Sequence, residues 1–139
     1  MCGIHVLIQP ESDGLAAIQK MMHATEHRGP DFSGFCKVEE NIFFAANRLK
    51  IQDLSDASNQ PLWSKDRSAV LVWNGEIYNH HELKEILSTK GFELDTNSDS
   101  LVLLHWLMAF GKSSIHELKG MFAFVFADLG KKEILVSRD

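Results

Sequence analysis

Cys2 is the residue whose type and position most directly suggest chemistry. It follows the initiator Met1, and because its side chain is small, we expect Met1 to be removed and Cys2 to carry a free α-amine. An α-amine has a pKa of about 7.7–8.0, so it can take a proton from the neighbouring thiol near neutral pH. Since the thiolate is the nucleophilic form, Cys2 is predicted to hold nucleophile and base together. The alternative is an incidental small residue at a frayed chain end.

The elements that must position Cys2 are a mixture of strands and helices. Hydrophobic patterning predicts strands at residues 3–9, 32–38, 42–51, 69–73, 121–127 and 133–137. It predicts helices at residues 15–27, 80–89, 98–110 and 114–119, with a helix-capping signature at Asn79 and a long loop over 53–65. Strands are grouped rather than alternating with helices, which favours an α+β fold with antiparallel sheets.

Composition narrows the class of protein. A chain of 139 residues predicts one domain. Its net charge is −5 and no basic run exceeds two residues, which argues against a nucleic-acid partner. The longest apolar stretch, residues 101–110, is too short to span a bilayer. Two cysteines cannot build a disulfide framework, so we expect a cytoplasmic protein in reducing surroundings without a membrane partner.

Motifs along the whole chain resemble class II glutamine amidotransferases, a branch of the N-terminal nucleophile hydrolases. The resemblance is closest to the N-terminal glutaminase domain of asparagine synthetase and related enzymes. It is carried in order by Met1-Cys2-Gly3-Ile4, His27-Arg28-Gly29-Pro30-Asp31, Arg48-Leu49, Asn74-Gly75-Glu76-Ile77-Tyr78-Asn79, Ser98-Asp99 and Gly120-Met121-Phe122-Ala123-Phe124. It implies one glutaminase domain over residues 1–139, with an αββα sandwich of two antiparallel sheets between helices.

The resemblance implies that Cys2 attacks the side-chain amide of glutamine. Amide hydrolysis passes through an oxyanion that needs hydrogen-bond donors, and in the family the Asn74 side chain and the Gly75 N–H supply them. The residue types also allow an ordinary Asn-Gly hairpin turn. The dipeptide is followed by a capped helix rather than a return strand, which favours the catalytic interpretation.

The resemblance also implies the residues that hold the amino-acid end of glutamine. Arg48 would bind the α-carboxylate, Asp99 the α-ammonium, and Glu76 would orient the substrate. Leu49 and Ile51 complete the predicted binding set. The alternatives are that Arg48 reaches from a strand edge into solvent, and that Asp99 caps a helix beside Ser98.

Several neighbouring residues are assigned no role in the core site. Arg28 and Asp31 lie near the glutamine pocket in the family, yet they could equally pair to fix a turn. His23 and His27 have helical spacing but no third ligand, so no metal site is predicted. The sequence departs from the family pattern at residues 45–47, at Lys50 and at Gln52.

The resemblance further implies a synthetase domain, in cis or in trans, that uses the ammonia. No cofactor is expected in residues 1–139; ATP and Mg²⁺ would act in that synthetase domain. The chain ends at Ser137-Arg138-Asp139, directly after a strand, so we expect a fragment of a longer protein. A homodimer is left open. If Met1 is retained, the alternative is a non-catalytic glutamine-binding or interaction domain.

Overall fold

Two antiparallel sheets form the centre of the fold, in a computed structural model that describes residues 2–11, 13–51 and 54–139. The first sheet has the order β1-β3-β2, and the second has the order β4-β5-β6-β7. The strands are β1 (Gly3–Ile8), β2 (Phe32–Glu39), β3 (Ile42–Arg48), β4 (Leu62–Trp63), β5 (Ala69–Ile77), β6 (Gly120–Asp128) and β7 (Glu133–Arg138). Neighbouring strands are antiparallel throughout both sheets.

Helices cover the outer faces of the sheets. The α-helices are α1 (Gly14–Ala24), α2 (His80–Thr89) and α3 (Asp99–Phe110). Short 3₁₀ helices occupy Glu26–Arg28, Asp56–Ser58 and Gly111–Glu117. No helix among the described residues has the length and apolar character needed to cross a membrane.

Strand periodicity separates the two faces of the first sheet. On β3, Phe43 and Ala45 pack against Ile18 and Met22 of α1. Their neighbours along the strand, including Phe44, point the other way and join an apolar layer between the sheets. This inner layer is built from Phe44, Ala46, Val70, Val72, Val125 and Ala127.

The second sheet is buried on both faces. Val70 and Val72 of β5 face the inner layer, whereas Leu71 and Trp73 pack in the cluster that includes α2 and α3. The continuous apolar run at residues 69–73 is therefore explained by cover on both sides, as the sequence predicts. The layers follow the order helix, sheet, sheet, helices, which confirms the predicted α+β, αββα sandwich.

Several element boundaries differ from the sequence-based expectations: the strand predicted at 69–73 continues to Ile77, and the helix predicted at 114–119 is the 3₁₀ helix Gly111–Glu117. The helix predicted to reach His27 ends as an α-helix at Ala24. The strand predicted to reach Ile51 ends at Arg48, because Arg48 pairs with Phe32, the first residue of β2, and β1 reaches only Asn47. The predicted loop at 53–65 contains β4, whose two residues pair with β5. Gln52 and Asp53, both named in those expectations, lie outside the described residues.

Asn79 precedes α2 as the capping signature predicts, but its side chain makes no capping hydrogen bond. Its Nδ2 donates to the carbonyl of Glu117 at 3.0 Å, and its Oδ1 accepts from the N–H of Lys119 at 2.9 Å. Asn79 therefore ties the start of α2 to the approach to β6, beside the strand that carries Asn74.

Candidate active site

The inner layer changes from apolar to polar at one end of the sandwich. Ala46 and Val72 belong to the apolar layer, and two residues further along the same strands stand Arg48 and Asn74. Side chains two apart on a strand share a face, so both polar groups open into the space between the sheets. Cys2, at the start of β1, lies at this same end. A cavity of about 410 Å³ occupies it.

Every residue predicted for the catalytic and substrate-binding set contributes to the wall of this cavity. They come from β1, β3, β5 and the start of α3, segments that are far apart in the sequence. The members are Cys2, Arg48, Leu49, Ile51, Asn74, Gly75, Glu76 and Asp99. The structure thus brings these residues to one place, and the role of each stays a prediction.

Contacts on both sides hold Cys2 in place. The N–H of Leu49 donates to its Sγ at 3.4 Å, and the Sγ lies 3.9 Å from the carbonyl oxygen of the same residue. The Arg28 Nε donates to the Cys2 carbonyl at 3.4 Å. Cys2 is therefore tethered rather than frayed. The predicted removal of Met1 concerns a residue that lies outside the described ones.

Asn74 and Gly75 lie within β5, paired with Ala123 and Phe122 of β6. The hairpin-turn alternative for this dipeptide is therefore wrong, because the strand continues through it to Ile77. Gly75 has a φ of 152°, a region in which L side chains are strained. The carboxamide of Asn74 and the backbone of Gly75 both border the cavity, which is where an oxyanion would need donors.

We expect Gly75→Ala to destabilise the protein by at least about 2 kcal/mol, because a positive φ and a steric clash act together. A Cβ at this position would collide with the backbone of Met121 and Phe122 on the partner strand. Thermal unfolding would measure the change. Gly130→Ala is the matched control, since the nearest atom to its Cβ would be Asp128 Oδ1 at 3.4 Å. Equal melting temperatures for the two variants would contradict the prediction.

Arg48 is 5% exposed, so the alternative that it reaches from a strand edge into solvent is wrong. One of its guanidinium nitrogens donates to the Ser55 carbonyl at 2.8 Å and to the Asn59 Oδ1 at 2.7 Å. Asn59 in turn donates to Asp56 at 3.1 Å. The segment from Ser55 to Asn59 therefore fixes the guanidinium at the cavity wall, where it can offer donors to a carboxylate.

Asp99 is 7% exposed and opens α3 at the cavity. Its Oδ2 accepts a hydrogen bond from the Ile77 N–H at 3.1 Å. Burial raises the pKa of the Asp99 carboxyl, and the Ile77 hydrogen bond offsets only part of this effect. A buried carboxylate such as that of Asp99 is stabilised in its charged form by a cationic partner.

Ser98 does not use its side chain to cap α3. Ser98 occupies the N-cap position without a capping side-chain bond, and its hydroxyl lies 2.6 Å from that of Ser58. Together, Arg48 and Asp99 place groups of opposite charge on the wall of one cavity, which suits an amino acid's α-carboxylate and α-ammonium.

Gln60 is a buried cavity residue that sequence patterns do not reveal. It is 4% exposed, and its side chain pairs with the backbone of Trp73 through bonds of 2.7 and 2.9 Å. The Trp73 indole N–H donates to Ser100 Oγ at 3.1 Å, linking β5 to α3. Gln60 lies in a predicted loop, where a polar residue carries no pattern. Met121, Phe122, Ala123, Arg138 and Asp139 also line the cavity.

Arg28 and Asp31 each contact the main chain near the cavity. Arg28 reaches the Cys2 carbonyl, as above, and Asp31 Oδ2 accepts from the Lys50 N–H at 2.8 Å. The Lys50 side chain forms an ion pair with Asp56 at 2.8 Å. Among the described residues, no group of three or more His, Cys, Asp or Glu is arranged to hold a metal ion.

Comparison with known proteins identifies the family of this chain. Residues 1–139 match the model of a family described as a glutamine amidotransferase domain. The chain belongs to this family. It is 37% identical over 142 aligned positions to "Asparagine synthetase [glutamine-hydrolyzing]" of Zea mays. The alignment includes 100% of this chain and 24% of that protein. A protein of Oryza sativa subsp. japonica with the same description, numbered 2, is also 37% identical over 142 positions, with 23% of it covered.

A solved structure has the same fold as this amidotransferase domain. It is the glutamine phosphoribosylpyrophosphate amidotransferase from B. subtilis, complexed with ADP and GMP, and it superposes with a TM-score of 0.72 at 21% identity. The match covers all of this chain and 37% of that one. This amidotransferase domain spans about a quarter of the length of the curated relatives it matches.

Proposed function

We propose that this amidotransferase domain hydrolyses L-glutamine to L-glutamate and ammonia, with Cys2 as the nucleophile. The observation that carries the proposal is the cavity at the end of the inner layer, which gathers a thiol, an amide donor and two opposite charges. Arg48 holds the α-carboxylate of glutamine and Asp99 its α-ammonium. Glu76, Leu49 and Ile51 complete the substrate contacts.

The first half of the reaction forms a thioester. The Cys2 sulfur attacks the side-chain amide carbon, and the carbonyl oxygen takes up the negative charge. The Asn74 carboxamide N–H and the Gly75 backbone N–H donate to this oxygen. The C–N bond then breaks, and the nitrogen leaves as ammonia after it gains a proton.

The α-amine of Cys2 is the proposed base. After removal of Met1 this amine is bonded to Cα, next to the Cβ that carries the thiol. It takes the thiol proton and returns a proton to the leaving nitrogen. In the second half, water attacks the thioester and the same amine accepts a proton from that water. Glutamate is released and the thiol is restored.

The ammonia is proposed to supply an ATP-dependent amidation like that of asparagine synthetases. The relatives support this, since their names give both activities and they are about four times as long as this domain. We therefore propose one glutaminase domain of a longer enzyme in a reducing cytoplasm, with ATP and Mg²⁺ acting in its synthetase part. The free thiols of Cys2 and Cys36 suit that compartment.

Ammonia release from glutamine, measured on protein whose mass has been determined intact, tests the proposal. Protein that lacks Met1 should release ammonia, and a glutamine analogue with a diazoketone in place of its amide should label Cys2. Protein that retains Met1 should bind glutamine without hydrolysis, since an acylated nitrogen is no base. Hydrolysis at an equal rate by Met1-retaining protein would contradict the role of the α-amine.

Asp99→Asn should weaken glutamine binding while leaving the unliganded protein equally or more stable. Loss of the carboxylate removes the partner of the α-ammonium, which we expect to raise the KM for glutamine by roughly tenfold or more. Asparagine keeps an acceptor for the Ile77 N–H and removes a charge that burial disfavours. Steady-state kinetics and thermal unfolding at neutral pH measure the two effects. An unchanged KM would contradict the assigned role.

The raised pKa of Asp99 also predicts a pH dependence. Burial favours the protonated carboxyl and raises the pKa of Asp99. As the pH is lowered, Asp99 therefore takes up a proton at a higher pH than an exposed carboxyl does. The KM for glutamine should therefore rise as the pH falls towards and through that pKa, whereas the Asp99→Asn variant should lack this rise. Calorimetric titrations of glutamine into both proteins across this range provide the check.

A further inference from the structure

A cluster of polar side chains joins the segments behind Cys2. It consists of His5 on β1, Thr25 directly after α1, Asn47 on β3 and Ser33 on β2. His5 and Asn47 are buried, at 8% and 1% exposure, and Thr25 is half-buried. We call this set the Thr25 cluster. The substrate-binding assignments above use none of its members.

The Thr25 hydroxyl has three acceptors within reach, and Asn47 Oδ1 is nearer than the carbonyl oxygens of Met21 and Met22, which both lie at 3.4 Å. The Thr25 hydroxyl donates to Asn47 Oδ1 at 2.9 Å, and Asn47 Nδ2 donates to Ser33 Oγ at 2.8 Å. His5 Nε2 lies 2.8 Å from the Thr25 oxygen and 3.1 Å from Asn47 Oδ1. An amide oxygen only accepts, so the contact with Asn47 Oδ1 is a hydrogen bond in the His5 tautomer that carries its proton on Nε2.

The Thr25 cluster packs against the residue that follows the nucleophile. A Cβ on Gly3 would lie 3.0 Å from Thr25 Oγ1 and 3.3 Å from Asn47 Oδ1. Gly3 and Asn47 also form the first pair of the ladder between β1 and β3. The ends of strands open more readily than their centres, so this pair needs support beyond its backbone bonds.

The same pair governs the position of the sulfur. Cys2 directly precedes β1, and Leu49, whose N–H donates to Cys2 Sγ, directly follows β3, two residues after Asn47. Opening of the Gly3–Asn47 pair would separate the thiol from Leu49 and move it relative to Asn74. Small displacements of a reacting group slow a reaction strongly while leaving substrate contacts elsewhere intact.

We propose that Thr25, with His5 and Asn47, acts as a positioning residue that holds the first β1–β3 pair closed and so fixes the Cys2 thiol at the cavity. Its effect on turnover rests on the proposed glutaminase function, whereas its effect on the thiol itself does not. Arg48 and Asp99, which hold the α-carboxylate and the α-ammonium of glutamine, lie outside the cluster. The affinity for glutamine should therefore be independent of it.

Thr25→Val and Thr25→Ser separate this role from simple packing. Valine keeps the shape of threonine without the hydroxyl, and His5 can still donate to Asn47 Oδ1, so the protein should fold. Serine keeps the hydroxyl. Thr89→Val is the matched control, because the Thr89 hydroxyl donates to the Ile86 carbonyl at an exposed position at the end of α2.

For Thr25→Val we expect kcat for glutamine hydrolysis to fall roughly fivefold to tenfold, with KM unchanged. Alkylation of Cys2 by iodoacetamide should differ in rate from the wild type, and amide hydrogen exchange of residues 3–8 should accelerate. Thr25→Ser should restore all three values, and Thr89→Val should leave them at wild-type levels. Unchanged kcat and exchange, a parallel rise in KM, or an equal loss in Thr25→Ser would overturn the proposal.

The outcomes distinguish this proposal from the proposed function. If the Met1-processed wild type releases no ammonia, the glutaminase assignment fails. Alkylation and exchange then decide the positioning role alone: altered rates in Thr25→Val with restoration by serine support it, and rates equal to wild type overturn it.

Discussion

Cys2→Ala is expected to lower ammonia release from glutamine by at least roughly a thousandfold, because it removes the sulfur that forms the thioester. Glutamine binding should remain measurable by calorimetry, since Arg48 and Asp99 keep their positions on other strands and helices. The cysteine-to-alanine change removes only the sulfur, so the fold should tolerate it. Release at the wild-type rate would remove Cys2 as the nucleophile.

Cys36→Ala is the matched control for that experiment. Cys36 packs against the inner layer on β2, and burial raises the pKa of its thiol to about 11. It therefore stays protonated at neutral pH and is a poor nucleophile. We expect its replacement to leave ammonia release near the wild-type rate. A loss equal to that of Cys2→Ala would indicate that removal of either thiol disturbs the protein as a whole.

Asn74→Ala is expected to lower kcat by roughly a hundredfold or more, as for removal of one oxyanion donor. KM should change little, because the carboxamide contributes mainly when charge develops on the carbonyl oxygen. Single-turnover measurement of thioester formation would test this directly. A near-normal rate would mean that another group holds the oxyanion.

Asn41→Ala provides the control for the asparagine substitution. Asn41 stands at the exposed turn between β2 and β3, at the opposite end of β3 from Arg48, and accepts from the Gln9 N–H through its backbone carbonyl. Its replacement should leave kcat unchanged. If both variants lost activity equally, the loss in Asn74→Ala would not report on oxyanion binding.

Much of the fold is readable from local patterns. The apolar runs at residues 42–46 and 69–73 predict strands, and their burial follows from the layers on either side. The positions of α2 and α3 follow from signals at Asn79 and at Ser98-Asp99. The detailed bonds do not follow, because Asn79 and Ser98 use their side chains on distant partners instead of capping.

By itself, the order of motifs from Met1-Cys2 to Phe124 determined the family and which residues to examine for a site. It did so because nucleophile, donor and charged residues each keep a recognisable local setting. Only the tertiary structure decided that Arg48 is buried, that Asn74-Gly75 continues a strand, that Gln60 lines the cavity, and that the Thr25 cluster packs beside Gly3. These depend on contacts between residues far apart in sequence, and a polar side chain carries no periodic signal that reveals its partner.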